Sequence, residues 1–274
     1  MTAACPESGA VRFSTLPEIS TGLRPRHVFG THVKLRNTTI SIPAEHAWLE
    51  GELAHAPDVR GLAAILRPAG GSRAHCRELR VARMLQQAGY ATLVINLLTA
   101  YEDSRDPDAA FNVPQMANRV LAVADWVGHQ PPLAGLAIGL VASRTASGAA
   151  IRAAWKAPQF FGAIVCAAGR PDLAGAMPLN ALAIPILLAV GSEDPHVTML
   201  AHAYEHLRGT RDWQTIDGAG EDFAEPGALD RFAHLASQWL DLRLPRPQPV
   251  GAIAETTPLR PQTEPADGRV RESE

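Results

Sequence analysis

Residues 136–150 read LAIGLVASRTASGAA. The apolar run Leu136 to Val141 has the length and composition of a strand buried on both faces. The alanine-rich stretch that follows residue 144 reads as a helix. Between them lies Ala142-Ser143-Arg144-Thr145-Ala146, in which small residues stand two places before and two places after Arg144. Such spacing suits a sharp strand-to-helix bend with no room for bulk on either side.

Working outward, the same alternation of strand and helix continues in both directions. His27 to Leu35 and Ala47 to Leu53 read as an opening antiparallel pair, and Gly61 to Leu66 as a buried strand. An amphipathic helix follows from His75 to Ala88, stopped by Gly89, and then a strand from Ala91 to Leu97. Val113 to Gly128 is helical, with Met116, Val120, Val123 and Val127 on its apolar side. Phe160 to Ala167, Ile184 to Val190 and Asp212 to Ile216 supply three further strands. The helices Pro195 to Leu207 and Gly227 to Leu242 follow the last two. This order predicts an α/β fold with a mostly parallel twisted sheet and helices on both faces. Functional groups should gather in the loops beyond the carboxyl ends of the strands.

Composition narrows the class. Of the 274 residues 46% are hydrophobic and the formal net charge is −3, which argues against a general nucleic-acid or anionic-membrane binder. No run approaches about 18 apolar residues, so no membrane span is expected, and the first 25 residues lack a secretory apolar core. The three cysteines (Cys5, Cys76, Cys166) are scattered as reduced thiols would be, so a cytoplasmic location is expected. Residues 1–26 read as a flexible segment and 27–244 as the folded domain. Residues 245–274, rich in proline and charge, read as a disordered tail. His202 and His206 stand at i, i+4, but no third ligand accompanies them, and neither a metal nor another cofactor is expected.

Several segments, in order and at matching distances, resemble the dienelactone hydrolase branch of the α/β-hydrolase superfamily. They are Leu49-Glu50-Gly51-Glu52-Leu53, Gly89-Tyr90-Ala91-Thr92, Gly169-Arg170-Pro171-Asp172-Leu173-Ala174-Gly175, Val190-Gly191-Ser192-Glu193-Asp194 and Glu225-Pro226-Gly227-Ala228-Leu229. The likeness runs from about Ile42 to Leu242 and implies the α/β-hydrolase fold. It also implies a site of four parts: a nucleophile at the bend, an acid, a histidine, and an oxyanion loop. The nucleophile position falls on Arg144. Centring the bend on Ser143 instead would put Val141 and Thr145 at the crowded places, and centring on Ser147 would end the strand too early. The acid position falls on Asp194. The histidine position, in the loop after the last strand, holds Glu221, and the oxyanion loop reads Arg67-Pro68-Ala69-Gly70-Gly71-Ser72-Arg73.

A guanidinium cannot attack a carbonyl, and a carboxylate in place of imidazole leaves no efficient base. Loss of the nucleophile or base costs a triad enzyme on the order of 10⁶ in turnover. The expectation is therefore a protein with degenerate triad positions (Arg144, Asp194, Glu221) that binds a small carboxylate-type ligand or a protein partner. Arg144, Ala69, Gly70 and Thr145 are its candidate contacts. Three roles are open to Arg144: a surface residue in a defunct turn, a fork presented to an anion, or an ion pair with Glu221. Glu221 and Asp222 are alternatively solvated loop acids, and Asp194 a helix cap. The competing class is an ester or lactone hydrolase using Ser143, which would need a histidine from elsewhere, with His196 the nearest.

Overall fold

The computed structural model describes residues 35–69 and 77–246. Its strands are β1 (Arg36–Ala44), β2 (Ala47–His55), β3 (Leu62–Arg67), β4 (Ala91–Asn96), β5 (Ile138–Ser143), β6 (Phe161–Ala167), β7 (Ile186–Gly191) and β8 (Arg211–Ile216). They form one sheet in the order β1-β2-β4-β3-β5-β6-β7-β8. β1 and β2 pair antiparallel, as do β2 and β4, and the remaining pairs are parallel. The helices are α1 (Arg77–Gln87), α2 (Ala100–Arg105), α3 (Val113–Gly128), α4 (Ala146–Lys156), α5 (Ala176–Asn180), α6 (Val197–His206) and α7 (Ala228–Arg243).

The central strands β3, β5 and β7 are buried at every position, which is why they read as unbroken apolar runs. Strand alternation sorts the helices onto two faces. Ile65 and Val141 line one small gap with Val81 of α1 and Phe232 of α7, whereas Ile138 and Leu140 line another with Val120 and Val123 of α3. α7 lies close enough that a Cβ on Gly139 would come within 2.4 Å of Leu240, and one on Gly162 within 2.6 Å of Leu244. Glycine at these two strand positions lets helix and sheet approach.

The opening strand differs from expectation. β2 pairs with Arg36–Ala44, whereas His27–Leu35 lies outside the described residues except for Leu35, which is not in a strand. Thr38, Thr39, Ile40 and Ile42 carry the β-branched side chains that suit a strand. Only Ile42 and Ala44 of β1 are buried, so the run lacks the clean apolar alternation that would have marked it. β5 likewise runs two residues further than the apolar run, to Ser143. The expected terminal segments 1–26 and 245–274 lie outside the described residues, Pro245 and Arg246 excepted. No helix among the described residues is long and apolar enough to cross a membrane.

α2 was invisible to periodicity because none of its residues is buried. It is held by a capping box, in which Thr99 accepts from the Glu102 N–H and Glu102 accepts from the Thr99 N–H. The buried Arg119 of α3 then clamps it. Its Nη1 donates to Glu102 (2.8 Å) and to the Leu97 carbonyl (2.7 Å).

Candidate functional site

The bend after β5 is the most constrained piece of backbone in the site. β5 ends at Ser143, α4 begins at Ala146, and Arg144 sits between them at φ 52°, a left-handed conformation unusual for a non-glycine residue. The carbonyl of Arg144 accepts from the N–H groups of Ser147 (3.2 Å) and Arg170 (2.9 Å). The loop after β6 passes directly beneath it. A Cβ on Gly169 (φ 88°) would lie 2.7 Å from both the nitrogen and the carbonyl oxygen of Arg144. Ala142 and Ala146, two places either side of Arg144, are buried. A strained, braced bend of this kind positions a nucleophile in the α/β-hydrolase arrangement, and here it presents a guanidinium.

Ser143, one residue earlier, is buried in β5, and its hydroxyl donates to Glu78 at 3.4 Å. Asp194, just past β7, is also buried. Its Oδ1 accepts from the His196 N–H at 2.8 Å, while Oδ2 has no hydrogen-bond partner. In a working triad that oxygen would accept from an imidazole. The ring of His196 instead faces Glu221, with Nε2 3.7 Å from Oε2.

The anticipated pair between Arg144 and Glu221 is replaced by one a residue further on. Arg144 Nη2 donates to both oxygens of Asp222, at 3.1 and 3.0 Å. The loop geometry accounts for the offset. Phe223 adopts φ 51°, buries its ring and stacks it on Phe232 with centroids 5.3 Å apart. Ala219 abuts Gly191, where a Cβ would lie 2.1 Å from the Ala219 carbonyl oxygen. With both ends pinned, the adjacent side chains at the turn diverge, Glu221 to His196 and Asp222 to Arg144. Asp222 is thus no merely solvated acid. It also accepts from Arg77 Nη1 at 2.7 Å.

Arg77 belongs to a chain of charges that the sequence did not announce. Its Nε donates to Glu78 at 3.1 Å, and Arg67 Nε lies 3.6 Å from the same carboxylate. Three guanidinium groups (Arg67, Arg77, Arg144) therefore share two carboxylates (Glu78, Asp222), a local cationic excess within a cleft whose described lining carries six arginines and six carboxylates. Arg77 Nη2 is buried and unpartnered. Thr145 stands at the N-terminal boundary of α4 without capping it, and its buried Oγ1 is also unpartnered. The first-turn N–H groups of a helix lack intrahelical acceptors and favour negative charge. A usable signal existed in the arginines at 67 and 77, which flank the loop after β3, but only the fold brings them to residue 222.

These groups line one open cleft of about 1130 Å³ at the carboxyl ends of the parallel strands. Its wall includes Ala69, Arg144, Thr145, Asp194 and Glu221, and Phe111 stands at the rim with more than half its surface exposed. Gly70 lies outside the described residues. Cys166 is fully buried in β6, and burial pushes its thiol up to about 12, so it is packing rather than chemistry.

The strand order and the bend define the α/β-hydrolase class. Comparison narrows it. The chain is 35% identical to a dienelactone hydrolase from Anabaena variabilis of known structure, with a TM-score of 0.73, over 77% of this chain and 99% of that one. It therefore belongs to the dienelactone hydrolase-like branch of that superfamily. A dienelactone hydrolase-like promiscuous phosphotriesterase from metagenomic libraries shares the fold at 15% identity and a TM-score of 0.61, covering 77% of this chain and 99% of its own. Proteins of two Mycobacterium tuberculosis strains, provisionally named phosphoribosyl transferases, are 34% identical over 218 residues, 79% of this chain. The match covers 49% of their length, so the chain spans about half of these curated relatives. No protein-family model matches the sequence.

Proposed function

We propose that this dienelactone hydrolase-like protein does not run triad hydrolysis and instead holds a small anion in its cleft. The observation that carries the reading is Arg144 at the strained bend, with Asp194 Oδ2 facing no imidazole. Among the described residues His196 is the one histidine lining the cleft, and its ring is engaged with Glu221. A nucleophile and its base are therefore both replaced, while the structural cost of the bend is retained. The guanidinium groups of Arg67, Arg77 and Arg144, one more than the two carboxylates they share, offer an anionic ligand a local cationic patch.

Two measurements test this. A fluorophosphonate probe should leave the protein unlabelled, and p-nitrophenyl acetate should hydrolyse at the buffer rate. Stable labelling that disappears in Ser143→Ala would overturn the reading in favour of an ester or lactone hydrolase. Calorimetric titration with inorganic phosphate should show saturable binding that Arg144→Met weakens by about tenfold, the worth of one charge-assisted hydrogen bond.

A further inference from the structure

Four residues lining the same cleft each carry a buried polar atom without a partner, and these atoms are not all of one sense. Arg77 Nη2 can only donate, Thr145 Oγ1 can do either, and Asp194 Oδ2 and Glu225 Oε2 can only accept. Thr145 and Asp194 are both more than nine-tenths buried. Solvent does not reach these atoms freely, and unmatched buried polar atoms are rare because each forfeits its hydrogen bonds to water. The donors stand with the charge chain of Arg144 and Asp222, and the open acceptors belong to the loops after β7 and β8. A simple anion would satisfy the first group and repel the second.

We infer that the cleft is built for a hydroxylated small anion. Its charged end would lie against Arg77, Arg144 and Thr145, and a hydroxyl would donate to Asp194 Oδ2. The inference rests on the anion-binding reading above and goes further by giving the retained acid a role. Asp194 becomes the acceptor that recognises the ligand's hydroxyl. A hydroxyl suits this place better than an ammonium because a cation reaching a buried carboxylate must be stripped of its water at much greater cost. The charged end can be a phosphate or a carboxylate, since both accept from guanidinium and amide N–H groups.

Matched ligand pairs separate the possibilities by calorimetry on the unmodified full chain. Glycerol 3-phosphate should bind at least about tenfold more tightly than propyl phosphate, because a site that hydrogen-bonds a hydroxyl rejects the analogue lacking it. If lactate is preferred over propionate by such a margin while neither phosphate binds, the charged end is a carboxylate and the inference holds. In Asp194→Ala, which leaves no polar atom for the hydroxyl, the preference within the pair should collapse, whereas propyl phosphate should bind no more weakly than before. Equal binding within both pairs would overturn the hydroxyl inference and leave the anion reading standing. Tighter binding of 3-aminopropyl phosphate than of glycerol 3-phosphate would also overturn it. Failure of every anion to bind would remove the anion reading itself.

Discussion

Arg144 occupies a conformation that glycine would adopt at no steric penalty, and its side chain is two-thirds exposed. Exposed ion pairs contribute little, so the link to Asp222 does not repay the backbone strain. Arg144→Gly should therefore raise the unfolding free energy by about 0.5–1 kcal/mol while phosphate affinity falls, a trade typical of strained functional positions. Urea unfolding and calorimetry on the same variant check both halves. A loss of stability would mean that the guanidinium is structural and that the bend is not strained for a purpose. Gly169 poses the opposite case. A Cβ there meets both backbone atoms of Arg144 and must also tolerate φ 88°. Gly169→Ala should cost about 2–4 kcal/mol, read from the urea midpoint, because neither neighbour can give way.

Among the elements, α2 depends on one clamp rather than on a buried face. The Arg119 guanidinium, aided by the Thr99 cap and opposed by burial, holds the Glu102 carboxyl down to about 2. A depressed acid stabilises the fold fully above its unfolded value of 4.5 and loses that contribution as pH falls toward 2. Allowing for its partial exposure, about 2 kcal/mol should disappear across that window. Denaturant unfolding at several pH values should show this loss in the parent and a smaller one in Glu102→Gln, which has nothing to titrate there. Equal acid sensitivity in the two proteins would place the linkage elsewhere. The same helix begins the segment that carries Phe111 to the rim of the cleft, so its detachment should also alter ligand entry.

At the scale of the molecule, one sheet gathers the loops after β3, β5, β6, β7 and β8 at a single edge, and the site belongs to all of them. The scaffold holds an aspartate just past β7, a left-handed bend after β5 and a bracing loop after β6, and Oδ2 of Asp194 has no hydrogen-bond partner. Because residue 222 faces the bend, Arg144→Ser combined with Asp222→His should regain fluorophosphonate labelling, while neither single change does so. If the double variant stays inert, the degeneration reaches beyond the two positions, into the oxyanion loop. The α/β order, the bend at residue 144 and the position of Asp194 just past β7 were legible because they rest on local pattern, with buried strands and small residues at fixed spacing. The Arg144–Asp222 pair was not, because residues 221 and 222 differ by one place in the chain and diverge in space.

What the amino-acid order determined by itself was the succession of buried strands and helices, and the placing of charged residues at the bend after β5 and in the loop after β8. Both follow from near-neighbour spacing, since strand and helix periods and tight turns are properties of short segments. Only the tertiary structure decided which charges meet. Arg67 ends β3, Arg77 begins α1 and Asp222 lies in the loop after β8, and side-chain direction at the last of these is set by the buried Phe223 ring rather than by any nearby residue type. The left-handed bend persists for the same reason, held by Gly169 and Arg170 from another strand's loop.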